Sequence, residues 1–220
     1  MLKAWQQPGN TRGKMLTSTR PQGGIAALRR FVRSQPVERC EFCAAPIAQN
    51  HGHVVESDSR RLLCACAACA CSVGEQPSGR YRRVPTHVEA LTDFRMTDAE
   101  WHALGLPIEM AWLFHSTHAG RPIAFYPSPL GATQCLLGLE AWEAIVTRNP
   151  NLAEFEPDVE ALLVNRINRR RNYYRVPIDR CYELVGLIRT HWQGWSGGDE
   201  VWHAIDDYFA RLAPTKERAA

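Results

Sequence analysis

The sequence predicts a mixed α+β fold in which antiparallel strands and helices occupy separate stretches of the chain. Three observations carry this. Two C-x₂-C pairs flank a segment with the pattern of a hairpin, three apolar runs are joined by short glycine-containing loops, and the last third shows helical periodicity. At 220 residues the chain can bury a substantial core without covalent staples.

The elements follow in order. Residues 1 to 24 are polar and rich in Gly, Pro and Thr, which reads as an extended arm. GIAALRRFVRSQP sets Leu28, Phe31 and Val32 to one side, a short helix ending before Pro36. HGHVVESDSRRLLCAC has β-leaning runs on either side of Ser57-Asp58-Ser59, a hairpin whose second strand delivers the clustered cysteines. GRYRRVP is one further strand. In TDAEWHAL, Thr97 and Glu100 stand three apart at a helix start, the spacing of a reciprocal capping box.

EMAWLFH, RPIAFYP and TQCLLGL, separated by STHAG and SPLG, form an antiparallel meander. GLEAWEAIVTR is a helix stopped by Pro150, whereas PDVEALLV fits a helix or a strand. DRCYELVGLIRTHW puts Cys181, Leu184, Val185, Ile188 and Trp192 on one stripe, with Asp179 as the expected N-cap. A last helix from about Asp199 places Trp202, Ile205 and Phe209 on one side. The expected organisation is a basic arm and short helix over 1–37, a cysteine module over 38–75, an α+β domain over 76–212 and a tail over 213–220.

Charge is unevenly spread. Residues 1 to 39 hold eight Lys or Arg against one acid, Glu38, while the remainder holds 18 bases against 22 acids. A basic arm suits nucleic acid, anionic lipid or an acidic protein, and equally a solvated tail. No run of eighteen apolar residues or apolar leader is readable, so a cytoplasmic location without a membrane span is expected. There thiols stay reduced, and clustered cysteines bind metal more often than they pair.

Cys40 and Cys43 in CEFC, and Cys66 and Cys69 in CAAC, form two knuckles with 22 residues between them. Two intervening residues let the backbone turn so that both sulfurs of a knuckle face one centre, and two knuckles present four thiolates tetrahedrally to zinc or to a single iron. The expected module is a small zinc-ribbon-like metal-knuckle hairpin, packed beside the meander and its C-terminal helices. Cys64 would share the face of Cys66 if the strand continued through both, so Cys64 is an alternative third ligand. Cys71 is expected to be a spare thiol, and Cys135 and Cys181 core residues. Zinc is expected over iron because Ala44 and Ala70 follow the knuckles where rubredoxin-type knuckles usually carry Gly.

CEFC, HGH and LLC follow the order of zinc-stapled His-Asn-His endonucleases. His51 and His53 lack that motif's adjacent Asp, and His53 is expected beside the metal as packing or as a hydrogen-bond partner of its ligands. RINRRRNYYR, with five Arg, two Tyr and no acid, can grip phosphates and stack on bases, or form a solvated loop. HWQGWSGGDEVW gathers Trp192, Trp195 and Trp202 around a glycine loop; core packing and a partner-binding patch are both open readings. There is no nucleophile elbow, dinucleotide fingerprint or spaced carboxylate pair, so no catalytic residue is assigned and a non-enzymatic protein is expected.

CEFC, RRLLCACAACA, GRYRRVP, AFYPSPLGAT, PDVEALLVNR and VPIDRCYELVGLIRTHWQGWSGGDEVW together resemble an uncharacterised bacterial family. That family is often encoded beside oxygen-tolerant, high-affinity nickel–iron uptake hydrogenases of the actinobacterial type. The resemblance covers roughly residues 38 to 212. It implies an accessory role in hydrogenase assembly or electron transfer, and places the family's cysteines on Cys40, Cys43, Cys64, Cys66 and Cys69. The expectation is a zinc-binding accessory protein that meets a hydrogenase subunit or maturation factor. Its contacts would come from Trp192, Trp195, Trp202, the arginines Arg169, Arg170 and Arg171, and the basic arm. The rivals are a rubredoxin-like iron electron carrier and a nucleic-acid-binding zinc-ribbon or His-Asn-His-like protein.

Overall fold

The structure, a computed structural model, describes residues 37–74 and 79–212. The chain divides into two units, Met1–Val37 and Glu38–Ala220. The expected basic arm, its short helix and the 213–220 tail lie outside the described residues.

Two antiparallel sheets make up the larger unit. In the small sheet, β1 (Gly52–Glu56) lies between β2 (Arg61–Ala65) and β3 (Tyr81–Arg83). The larger has six strands in the order β4-β9-β8-β5-β6-β7: β4 (Glu89–Ala90), β5 (Met110–Ser116), β6 (Arg121–Ser128), β7 (Gly131–Cys135), β8 (Glu160–Asn165) and β9 (Asn172–Pro177). The helices are α1 (Ala67–Gly74), α2 (Asp98–Ala103), α3 (Leu139–Arg148), α4 (Ile178–His191) and α5 (Gly198–Leu212). The protein is thus mixed α+β with antiparallel sheets, and among the described residues no helix is long and apolar enough to cross a membrane.

Both faces of the large sheet are buried, which follows from the alternation of its side chains. Trp112, Phe114, Leu163 and Tyr174 face one side and meet Cys181, Leu184, Val185 and Ile188 of α4 and Val201, Ile205, Tyr208 and Phe209 of α5. Ala111, Leu113, Leu162, Val164 and Tyr173 face the other and meet Trp101 and Leu104 at α2, Ile145 of α3 and Leu152. Every residue of β8 is buried. A strand covered on both faces loses its polar alternation, which is why PDVEALLV reads equally well as helix or strand.

The meander forms as expected, although its third strand stops at Cys135; Leu136 is exposed and Leu137 turns into the α2–α3 side. The helical stripe of α4 is buried from Cys181 to Ile188. Asp179 does not cap it: it lies in the first turn behind Pro177 and is engaged elsewhere. In α5 the buried stripe is Val201, Ile205, Tyr208 and Phe209, and Trp202 stays outside it.

The RINRRRNYYR segment folds inward. Tyr173 and Tyr174 are buried on opposite faces of β9, so neither ring is free to stack on a base. Its arginines meet carboxylates: Arg166 and Arg171 share Asp98, Arg170 forks onto Asp206 at 2.6 and 3.1 Å, and Arg175 onto Glu160 at 2.6 and 2.9 Å. Arg169 is exposed. The acids come from α2, α5 and β8, and this distant pairing is invisible in a stretch read alone.

At α2, Thr97 Oγ1 accepts from the Glu100 N–H at 3.2 Å and the Thr97 N–H donates to Glu100 Oε2 at 2.7 Å, completing the capping box. The Thr97 backbone donor holds the Glu100 carboxyl below its ordinary value, with Arg148 adding attraction at 2.9 Å. Thr97→Ala is expected to cost about 1 kcal/mol in urea unfolding at neutral pH. Glu100's depressed value means that its share of the stability is complete above the usual carboxylate range and fades as pH falls through the folded value. The Glu100→Gln variant should therefore converge on wild type in acid unfolding curves.

Candidate metal centre

The first knuckle is a tight turn closed by backbone hydrogen bonds. The Ala44 N–H donates to Cys40 C=O at 2.8 Å and the Cys40 N–H to Ala45 C=O at 2.9 Å, with Ala44 in the left-handed region at φ 58°. Glu41 ties this turn to the hairpin edge twice. Its N–H donates to Cys64 C=O at 2.9 Å, and its carboxylate accepts the Cys64 N–H at 2.7 Å.

The second knuckle is not on a strand. β2 ends at Ala65, Cys66 is the pivot, and α1 begins at Ala67, so Cys69 lies in the first helical turn. The sequence-based expectation that Cys64 and Cys66 share one strand face is corrected by this turn: the strand and its period of two end before Cys66 is reached, and Cys71 lies on the helix.

The turn brings four sulfurs together. Sγ of Cys40, Cys43, Cys66 and Cys69 all lie within 4.8 Å of one another, and Cys43 Sγ is 3.8 Å from Cys66 Sγ. Four sulfurs held tetrahedrally about 2.3 Å from one ion are about 3.8 Å apart. The quartet is therefore placed to bind a metal ion, with no fifth side chain required. Beneath it is a small core of Val54, Ala65 and Ala70, edged by Phe42, Ile47, Val73 and Tyr81, so an ion bound by the four sulfurs would cap this apolar floor.

The electrostatics agree with a cation site. Burial pushes the Cys40 thiol up, but N–H groups of Cys66, Cys43 and Phe42 aimed at its sulfur outweigh that and hold it at about 6. Hydrogen bonds with Cys66 and Cys43, then burial, push Cys69 up to about 12. Cys40 is thus prepared as a thiolate, while Cys69 beside it holds its proton until a cation arrives. The small residues at Ala44, Ala67, Ala68 and Ala70 leave room for this close wrapping.

Cys64 belongs elsewhere. The hairpin pairs His53 with Cys64 and Val55 with Leu62, and these four lie on the face opposite Val54 and Ala65. Val55 and Leu62 join the large core against α4, while Val54 and Ala65 floor the sulfur quartet. Cys64 therefore groups with His51 and His53, their ligand atoms within 4.8 Å of one another, and His53 Nδ1 is 3.0 Å from Asp179 Oδ2. The sequence alone makes Cys64 an alternative third ligand and Asp179 a helix cap; the structure places both elsewhere. A signal was available in the alternation of HGHVVE against RLLCA, which puts His53 opposite Cys64.

The remaining predicted residues fall apart from the quartet. Cys71 is exposed on α1, 3.7 Å from an Arg83 guanidinium nitrogen; Cys181 is fully buried and Cys135 half-buried. Trp192 donates from Nε1 to Gly194 C=O at 2.9 Å and packs edge-on to Trp202, with ring centroids 6.5 Å apart. Gly197, at φ +90°, lets them close: a Cβ there would be 3.1 Å from the Trp192 ring and 2.8 Å from Val201. Trp195 projects from the same loop entirely into solvent.

The sequence profile of DUF5947, described as a family of unknown function, matches residues 39–216 and so spans both the quartet and the large sheet. No curated protein and no solved structure matches the chain.

Cys43→Ser and Cys69→Ser are each expected to lose one metal equivalent relative to wild type and to lower the unfolding midpoint by about 5 °C or more. Cys71→Ser should change neither. Elemental analysis together with thermal scans checks this, and full metal retention by Cys43→Ser would contradict the assignment.

Proposed function

We propose that this chain, which belongs to DUF5947, is a zinc-stabilised accessory protein that binds a subunit or a maturation factor of a nickel–iron hydrogenase. The convergence of four sulfurs on one point carries the zinc half of the reading. A four-thiolate site has no position left for water, so its ion shapes the fold and performs no chemistry there. Zinc is favoured over iron because Ala44 and Ala70 follow the two knuckles, where rubredoxin-type sites usually carry Gly.

The hydrogenase half rests on the resemblance of CEFC, RRLLCACAACA and the Trp-rich C-terminal segment to the hydrogenase-associated family. Trp195 supports a protein contact: a whole indole in water is costly to a free chain, and Trp is among the side chains that anchor interfaces most strongly. The pairing of Arg166, Arg170, Arg171 and Arg175 with carboxylates weakens the nucleic-acid reading, since those charges are already neutralised.

Purified chain is expected to be colourless, to contain zinc, and to retain a nickel–iron hydrogenase subunit or its maturation factor from the native host. Trp195→Ala should lose that retention while keeping the zinc. A red protein with visible thiolate–iron absorption would move the assignment to an electron carrier. Failure to retain any hydrogenase component would remove the partner assignment.

A further inference from the structure

On the opposite face of the hairpin from the sulfur quartet, His51, His53 and Cys64 offer two imidazoles and a thiol within 4.8 Å of one another. The tautomers of both rings follow from their partners. His51 Nδ1 is 2.8 Å from the Ala48 carbonyl oxygen, which can only accept, so this nitrogen carries the proton. His53 Nδ1 is 3.0 Å from Asp179 Oδ2, again an acceptor, and also carries its proton. In its neutral form each ring therefore presents a bare lone pair on Nε2.

His51 Nε2 is buried and has no hydrogen-bond partner, and the His51 side chain is only 8% exposed. A lone pair buried without a donor costs about 1–3 kcal/mol. The rings are 4.8 Å apart, and the residue facing His53 across the strand pair, Cys64, brings a further soft donor atom. Holding Nδ1 of a ligating histidine with a carboxylate or a backbone carbonyl is how protein metal sites fix the tautomer and raise the basicity of Nε2. Both devices are present, one on each ring.

We propose that His51 Nε2, His53 Nε2 and Cys64 Sγ bind a second divalent cation of the zinc class, with Asp179 as the positioning residue behind His53. Three protein donors leave a tetrahedral ion one open position. His51, His53 and Asp179 line a cavity of about 580 Å³, together with Thr86, Arg180 and Glu183. The fourth ligand is therefore an exchangeable small molecule, water or a small anion, entering from that cavity. Asp179 Oδ1 is buried and has no hydrogen-bond partner. The two sites divide the labour of one hairpin: a closed ion on one face and an open one on the other. This assignment stands on the three donors alone and does not depend on the hydrogenase reading.

The test is a cobalt(II) titration of the reduced full chain without oxygen, followed by visible absorption and elemental analysis. Wild type is expected to take two equivalents. Cys64→Ser and His53→Ala should each take one, with the absorption of the four-sulfur site unchanged, which also shows that these variants fold. Asp179→Asn should still take two, but with affinity for the second about 10- to 100-fold weaker. Azide should shift the absorption of the two-cobalt wild type and leave Cys64→Ser unaltered. Saturation of wild type at one equivalent, or two equivalents in Cys64→Ser, would overturn the site. A wild-type spectrum indifferent to azide would overturn its open position.

Discussion

The arrangement of this protein depends on a single two-faced hairpin. Because successive side chains of a strand point to opposite sides, β1 delivers Val54 to the floor of the sulfur quartet and Val55 to the core above α4. One five-residue strand thus belongs to both packing systems. Slipping its pairing by one residue would either turn Cys64 toward the four sulfurs or send Val54 into the large core, so the register and the metal set are one choice. The knuckles fix that choice from outside: Glu41 grips the backbone of Cys64 with two hydrogen bonds, and α1 turns Cys66 and Cys69 back over Ala65.

The same economy governs charge. The basic segment that runs from the end of β8 into β9 looks like a surface for polyanions, yet Arg166, Arg170, Arg171 and Arg175 clasp acids from α2, α5 and β8. Arg166 is the most buried of them, over the Trp101 ring and donating to Tyr173 Oη at 3.1 Å. What remains unabsorbed is apolar. Trp195 lies in the loop between α4 and α5, held out by a glycine-dependent turn whose other tryptophans pack on each other. That turn presents an indole without enclosing it.

Much of this was legible from local chemistry. The C-x₂-C spacing located the quartet, the Thr97–Glu100 spacing located a cap, and the stripe from Cys181 to Ile188 located the helix on which the core is built. Features decided by distant partners were not. β8 lost its alternation by being covered twice, and the arginine-rich stretch hid acids that are far away in sequence. Asp179, placed by its position as a helix cap, is claimed by His53 from 126 residues earlier. The strand-to-helix switch at Cys66 was the costliest omission, because it decides which cysteines meet. Its trace in the sequence is the run of alanines, residues that favour a helix over a strand.

The central claim is that Cys40, Cys43, Cys66 and Cys69 enclose one ion. X-ray absorption at the zinc edge, on the His53→Ala chain loaded with a single equivalent, tests it most directly. The account predicts one shell of four sulfurs at about 2.3 Å and no nitrogen or oxygen neighbour. A shell containing two or more light atoms would contradict it.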